Sequence, residues 1–568
     1  MMMKDTTRHF RRLARGWAGW LPAAALLAAS CSSADDDSSP RPAPATGGVP
    51  LRFEVALGNG SAATRAIKSE PLEGKGYDRL KAYWDANDQV TMVLDHGGNL
   101  STSKATLTEI NADSTRAFFS TTLDASASAG DPITAYAPAL ADDGSLVIDY
   151  GHQDGRVESL DRLGPSSGSS ALAAIDEDGA TLQHSIKMAA PVAGGDGGAF
   201  GTAFYGIKVV RVDVIKDKKT NQVKETRKTP MTVSRLTLSA YDKEEGNGWA
   251  TRTVFNPVTK TLATTAEHPS DSITIDLGAP SDGRIYMAVP SADHKLRATF
   301  CARDTDGYVF TVNKVIPAVA GTYYPITLEM KLADYVNMGD TVEWGTHNVG
   351  GDTPADYGDY FAWGETTPKD YYYWLPEVYR QYYGDAYMYK WGCPQESITK
   401  YNDNDHKYVL DDADDAATAN WGAPWRMPYA DEIWRLCNKE RYTHTLTTMK
   451  NSYGEDIKGE KVTSLANGNS VFFPFGGFKY GGGTYAYGQG GYYWGKELYR
   501  SGGVGPNGKV PDGTHADTTL GSDYGNMLGD LDYPNTLQGF GVGGGHERFT
   551  GFLVRPVRAS KNVTHVKQ

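Results

Sequence analysis

The chain has 568 residues, with 56 Lys and Arg against 69 Asp and Glu, a formal charge of −13. That length exceeds one domain and suits three, and the acidic balance excludes nucleic acid and an anionic membrane surface as natural partners. Tyrosine (34) is twice as frequent as phenylalanine (17) and glycine reaches 64, a mix that suits an exported, β-rich protein with hydrogen-bonding aromatic surfaces. The plainer reading is that tyrosine is common in exported β-proteins generally.

Lys4, Arg8, Arg11, Arg12 and Arg15 form a basic start, followed by an apolar stretch, 17–29, too short to span a bilayer comfortably. It ends Leu26-Leu27-Ala28-Ala29-Ser30-Cys31. Small residues before a lone cysteine resemble a lipoprotein signal-peptidase site, with Ala28 where leucine is usual. The resemblance implies a leader over 1–30 and acylation of Cys31, each buried CH₂ contributing ~0.8 kcal/mol to anchoring. The alternative is an ordinary signal peptide cut nearby. Asp35, Asp36 and Asp37 follow; acid just after such a cysteine resembles the surface-export signal of Bacteroidota lipoproteins, and the bland alternative is a solvated charge run. The rest of 31–49, rich in Pro, Ala and Gly, reads as a tether.

Leu51, Phe53, Val55 and Leu57 alternate with Arg52 and Glu54, the period of a half-buried strand. Gly58-Asn59-Gly60-Ser61 breaks it, and Thr64-Arg65-Ala66 lies in a small-residue loop open to a trypsin-like protease. Short strands then alternate with turns: 90–94, 117–122, 132–137 and 146–150. A glycine-rich joint follows at 194–198, and further strands at 207–214, 236–240, 272–277, 285–289 and 295–301. Lys216-Asp217-Lys218-Lys219 reads as a solvated hairpin between strands.

The front segment, with Tyr83-Trp84 running to Val90 and Ala320-Gly321-Thr322-Tyr323 running to Leu328, resembles the fimbrillin superfamily of Bacteroidales pili over residues 50–332. That resemblance implies two Greek-key, transthyretin-like β-sandwich domains, 50–190 and 191–332. It also implies that the strand carrying Leu51, Phe53, Val55 and Leu57 is removed by cleavage between Arg65 and Ala66. A strand from another subunit would replace it. The alternative keeps 51–57 as a permanent strand and Arg65 as an ordinary loop residue.

Beyond 333, four blocks stand in order: Tyr357-Gly358-Asp359-Tyr360-Phe361-Ala362-Trp363-Gly364-Glu365, then 414–428 with Trp421, Trp425 and Arg426, then Gly491-Tyr492-Tyr493-Trp494, then Val554-Arg555-Pro556-Val557. Together they resemble the Fibrobacter succinogenes major paralogous domain, related to the C-type lectin-like fold. The resemblance implies a loop-rich α+β module over 333–568 that binds a ligand.

The dense aromatic tract Tyr371-Tyr372-Tyr373-Trp374, continued by Tyr379, Tyr382, Tyr383, Tyr387 and Tyr389, is the candidate ligand surface, with Tyr485 and Tyr487 on a glycine-rich loop. For any single ring, packing is the plainer role. Cys393 and Cys437 share the module and a bridge between them is one option, but with Cys301 also present the pairing is not fixed by sequence. Asn402 to Asp405 and Asp411 to Asp415 carry oxygen ligands of the kind calcium takes, without EF-hand spacing; solvated acid and helix N-terminal charge is the preferred reading, so no cofactor is expected. No histidine pair has metal-ligand spacing and no nucleophile motif occurs, so an enzyme is not expected.

The sequence therefore reads as mainly β: two sandwiches followed by an α+β lectin-like module. The expected function is an adhesive subunit of a surface fimbria, at its tip. Its partners would be other subunits through donor-strand exchange and a host or bacterial glycan or protein, with the outer membrane reached only through a precursor's lipid. The alternative is a non-polymerising surface lipoprotein that captures a glycan or protein ligand.

Overall fold

The computed structural model describes residues 48–57, 66–74, 78–114, 116–164, 166–173, 182–188, 202–240, 251–256, 261–264, 272–292, 295–392, 398–402, 405–498, 524–528 and 542–560. It is mainly β, in several sheets. The expected acylation site Cys31, the cleavage residue Arg65 and the thiol of Cys393 lie outside the described residues.

The first eleven strands are β1 (Val49–Leu57), β2 (Ala66–Pro71), β3 (Asp78–Tyr83), β4 (Val90–His96), β5 (Asn99–Ile110), β6 (Arg116–Leu123), β7 (Pro132–Ala137), β8 (Leu146–Asp149), β9 (His152–Gln153), β10 (Ser166–Ala171) and β11 (Leu182–Met188). Seven of them form one sheet in the order β10-β7-β4-β5-β6-β1-β11. The alternation read in β1 is realised: Leu51, Phe53 and Val55 are fully buried, while Arg52 pairs with Glu109 and Glu54 with Arg116, each at 3.4 Å. Leu57 ends the strand. β1 is antiparallel to β6, Phe53 opposite Phe119 with their rings 5.7 Å apart, and parallel to β11. It is thus bonded on both sides. Residues 146–163 leave this sheet: β8 and β9 join other sheets, and Tyr150 is buried with its hydroxyl 2.6 Å from that of Thr202.

The next ten strands are β12 (Thr202–Lys216), β13 (Val223–Pro230), β14 (Val233–Ala240), β15 (Arg252–Asn256), β16 (Thr261–Thr264), β17 (Ser272–Ser281), β18 (Ile285–Pro290), β19 (Leu296–Asp304), β20 (Val309–Ile316) and β21 (Tyr323–Leu332). Their main sheet runs β13-β12-β21-β20-β19-β14-β17-β9, with β18 also on β12. Phe204, Ile207, Leu236, Ile273, Met287 and Phe300 are fully or almost fully buried in its core, so apolar alternation again sets the register. The β2–β3 hairpin is tied to this second sheet. Asp78 of β3 accepts hydrogen bonds from Tyr286 and Tyr323 (2.8 Å) and pairs with Arg284 at 2.8 Å. Burial alone would push the Asp78 carboxyl up; the hydroxyls of Ser69, Tyr286 and Tyr323 and the Arg284 charge hold it below the usual range.

Only Ala333 and Asp334 separate β21 from β22 (Tyr335–Asn337). Both are fixed, by Ala333 N to Val309 O (2.9 Å) and Thr346 N to Asp334 O (3.0 Å). The remaining strands are β23 (Val342–Gly345), β24 (Tyr442–Lys450), β25 (Asp456–Ser464), β26 (Ser470–Pro474), β27 (Phe478–Tyr480), β28 (Gly483–Tyr485), β29 (Tyr493–Leu498), β30 (Tyr524–Leu528), β31 (Val542–Glu547) and β32 (Val557–Ala559). Among the described residues three short α-helices accompany them: α1 (Arg380–Tyr383), α2 (Ala416–Trp421) and α3 (Ala430–Leu436). The end block is interior. Arg555, fully buried, donates to Asn348 Oδ1 (2.7 Å), Gly345 O (3.2 Å), Thr346 O (2.9 Å) and Phe472 O (2.9 Å), and burial lowers its pKa to about 10.

Candidate functional site: an aromatic ridge

The tract 371–374 has no run of regular secondary structure of its own; the β27–β28 hairpin holds it. Tyr372 N donates to Gly481 O (2.8 Å) and Gly481 N to Tyr372 O (2.7 Å). The hairpin can close at its base because Gly477, at φ +65°, leaves room where a Cβ would lie 1.9 Å from Tyr485 O. On the other side Arg380 of α1 pairs with Glu377 and Asp385, bracketing the turn that carries Tyr379 and Tyr383.

These two supports line up a continuous set of rings. Tyr379 meets Tyr383 (6.2 Å), Tyr383 meets Tyr387 (5.9 Å), Tyr387 meets Tyr371 (5.7 Å), and Tyr371 meets Tyr373 (6.4 Å). Tyr373 meets Tyr480 (5.3 Å), Tyr480 meets Tyr485 (6.3 Å), and Tyr485 stacks on Phe478 (5.7 Å). Tyr379, Tyr383, Tyr373 and Tyr485 are exposed, and Tyr382 beside them is 73% exposed. So many exposed rings in mutual contact make this tract the candidate interaction surface. Rings with phenolic edges give contact area and hydrogen bonds together.

The expected surface residues do not share one environment, and Tyr389 of the tract is buried, its hydroxyl donating to Trp363 O (2.8 Å). Tyr371, Tyr373 and Tyr485 are on the ridge. Tyr372 is beneath it: its hydroxyl donates to Tyr360 O (2.5 Å) and accepts from Lys369 N (3.0 Å), and burial pushes its phenol upward. This is a correction to its reading as a surface ring, because the Tyr372–Gly481 bridge turns alternate side chains inward. Trp374 is partly buried against Phe549 at 5.2 Å. Tyr487 is exposed but packs on Tyr357 at 5.1 Å, away from the chain of rings. Tyr480, Phe478 and Phe549, not singled out from sequence, supply the link. The alternation of Phe478 and Tyr480 before a triple-glycine turn was the available signal.

Below the ridge lies a charged scaffold. Lys369 and Glu365 form a buried pair at 2.9 Å, with the ammonium 5.7 Å from the centroids of both Tyr372 and Tyr389. The acidic run is committed to the chain's own donors. Asp414, almost fully buried, takes Lys390 (2.7 Å), Lys400 (2.6 Å) and the Tyr401 hydroxyl (2.6 Å). Burial would raise its pKa, but those three partners hold it below the usual carboxylate range. Asp411 is held down to about 2 by Lys400 and Lys407. Asp415 caps α2 through Ala417 N (2.9 Å) and Thr418 N (3.0 Å) and also accepts from Met427 N. Lys496 bridges Asp412 and Asp415 at 2.8 and 3.3 Å. Among the described residues no group of three His, Cys, Asp or Glu is arranged to hold a metal ion; Asp403 and Asn404 lie outside them. Cys437, just past α3, carries a free thiol that burial pushes up to about 12.

No protein-family model matches the chain, and no curated protein matches it. Similar solved structures include a leucine-rich repeat protein from Bacteroides thetaiotaomicron (8% identity, TM-score 0.13), covering 50% of this chain and 27% of that one. Another is GBS52, the minor pilin of Streptococcus agalactiae (9% identity, TM-score 0.15), covering 50% of this chain and 96% of that one. A third is the TIE protein of Bacillus anthracis (9% identity, TM-score 0.13), covering 50% and 34%. At such TM-scores the likenesses carry no argument about fold or function.

Proposed function

We propose that this chain is an adhesive subunit of a cell-surface fibre, placed at its tip, with two β-sandwich domains followed by a C-type-lectin-like module that carries the ligand surface. It has no catalytic role in this reading. It is made as a lipoprotein precursor acylated on Cys31 and taken to the outer membrane. There it loses β1 by cleavage between Arg65 and Ala66 and accepts a strand from a neighbouring subunit.

The observation that carries the reading is where the chain changes sheets. β1 belongs to the seven-stranded sheet, whereas Ala66 opens β2, whose hairpin is tied through Asp78 to the second sheet. A cut between them leaves β1 held to the rest of the chain only by non-covalent contacts. β1 also bridges β6 and β11, so its departure opens a slot with ladder groups on both walls. Leu51, Phe53 and Val55 would each uncover apolar surface worth ~1.5–3 kcal/mol. Ladder groups left dry add ~1–3 kcal/mol each. Together these rival a domain's whole margin of ~5–15 kcal/mol, so the slot must be refilled, which strand addition does. At the other end, β21 runs into the module through two fixed residues and offers no free strand there, which supports a terminal position.

The same double pairing of β1 favours a second reading, a monomeric surface lipoprotein that keeps the strand and captures a glycan or protein on the aromatic ridge. N-terminal sequencing of protein recovered from the cell surface separates the two. We expect a start at Ala66, and we expect Arg65→Ala to be exported yet absent from fibres. A start at Cys31, or normal assembly of the Arg65→Ala variant, would rule out the cleavage reading and leave the monomeric one.

A further inference from the structure

β24 (Tyr442–Lys450) stands at the edge of the three-stranded sheet β24-β25-β26, and among the described residues β25 is its one strand partner. Its pairing with β25 runs unbroken from Tyr442 opposite Ser464 to Lys450 opposite Asp456, with no bulge. Sheet edges are ordinarily protected by charge, proline or a bulge, because a bare edge templates another strand. β13, the end strand of the second sheet, is protected in this way by Lys224, Glu225, Arg227 and Lys228. β24 has none of these devices between Thr445 and Met449, where it reads Thr-Leu-Thr-Thr-Met.

The bonds at the two ends of the strand fix the direction of its backbone groups. Leu465 N donates to Arg441 O and Asn451 N to Glu455 O, both at 2.9 Å, so the odd-numbered residues of β24 turn their N–H and C=O groups toward β25. Leu446 and Thr448 therefore turn theirs to the open side. Leu446 lies at the middle of the strand and is 60% exposed, and Thr448 is exposed as well. Beyond Thr448, Met449 packs on the core of the second sheet, which confines the open stretch to the middle of β24.

The geometry points to an antiparallel pairing of β24 with β24 of a second copy of this chain, about a two-fold axis through Leu446. In that register the two Leu446 residues exchange both of their ladder bonds. Thr448 of one copy stands opposite His444 of the other, and Thr447 opposite Thr445. The exposed leucines then meet on one face and the threonines on the other, and both kinds of cross-strand pair stabilise a sheet. No like charges face each other, since 445–448 carries none. Moving the axis to Thr445 or Thr447 keeps the bond pattern but parts the leucines, so the side chains select the register on Leu446. A contact of one strand per copy is small, which makes the dimer weak and dependent on concentration. It presents two aromatic ridges in one assembly and does not depend on what the ridge binds.

The test is sedimentation velocity of the chain at rising concentration, where a monomer–dimer equilibrium in the micromolar range is expected. Thr448→Pro removes an outward N–H and leaves the ladder to β25 in place, and should weaken the dimer severalfold. Leu446→Lys sets two ammonium groups together on the axis and should weaken it tenfold or more; as an exposed change it keeps the test open if Thr448→Pro does not fold. Val223→Lys on β13 and Tyr382→Ala on the ridge should leave the equilibrium unchanged. A monomer at every concentration would overturn the pairing and leave this edge to an extended segment of another protein. Association that survives Leu446→Lys, or that is lost in Tyr382→Ala, would put the contact elsewhere and overturn it equally.

Discussion

Asp414 is almost fully buried, and its carboxylate is shared by Lys390, Lys400 and the Tyr401 hydroxyl. Its folded pKa lies below the ordinary value of 3.8, so it contributes stability that is fully present above that value and is lost as pH falls through the folded pKa. Asp414→Asn should therefore cost ~1–3 kcal/mol at pH 7 by leaving Lys400 and the Tyr401 hydroxyl with a poorer acceptor. Denaturant titrations should show the gap between variant and parent shrinking as pH falls below about 4. A gap that stays constant down to pH 2 would mean the carboxylate's charge is not what matters. In sequence the four aspartates of this run look alike, and only their partners distinguish them. The aromatic tract has the same limit: it is legible as a tract, but not which of its rings face water. Tyr372 is as aromatic as its neighbours and yet lies in the core, because a backbone bridge to Gly481 fixes the alternation of side chains there. Such a bridge between segments far apart in the chain leaves no local trace.

At the level of elements, sequence pattern worked where one face is buried and the other wet. β1, β4, β6 and β7 alternate or run apolar, and their readings match the observed strands closely. β5 escaped notice for a physical reason: its twelve residues are mostly Ser, Thr and charged types, only Ala105 is buried, and Leu100 is exposed. It is a strand because β4 and β6 pair with it on either side, a cause invisible within the segment itself. β13 escaped in the same way, being an exposed strand at the end of its sheet with charges along its length. For β1 the burial has a measurable size. Phe53→Ala should lower the unfolding free energy of the uncut chain by ~3–5 kcal/mol, the usual range for losing a fully buried phenyl ring. In a chain starting at Ala66 the residue is gone, so complementation with a 49–57 peptide should restore stability, and more weakly for a peptide bearing the same substitution. Equal complementation by both peptides would show that the slot does not read the Phe53 side chain.

For the whole molecule, the connection between the second sheet and the C-terminal module decides whether a ligand held at one end can load the other. Two polar contacts far apart in sequence tie this junction. On one, Lys216 N donates to Ser452 O (2.8 Å) and Lys218 pairs with Glu455 (2.6 Å). Ser452 in turn donates to the buried Asp356, which also accepts from Asp352 N and Thr353 N. On the other, Ser470 N donates to Gly307 O (2.7 Å), Ser470 Oγ to Asp306 O (2.8 Å), and Arg303 to Asn467 O. No residue pattern announces either contact, since each joins a turn of one part to a turn of the other. Gly307 is the position where the approach is tightest. Its φ is +89°, and a Cβ there would lie 2.2 Å from Ser470 Oγ and 2.6 Å from Gly468 O. Gly307→Ala should thus combine a left-handed backbone penalty with a clash, ~1–3 kcal/mol in all. The interior of the junction is apolar as well: Ala355, Ile457 and Phe472 of the module lie in one buried cluster with Phe300 and Phe310 of the second sheet. The substitution should therefore weaken the joint without dividing it. Calorimetry should show the second sheet and the module melting in one transition in the parent and in one transition, at lower temperature, in the variant. Two separate transitions in the variant would mean that the contact at Gly307, and not the shared core, couples the two parts, and that pulling on the ridge would no longer load the second sheet.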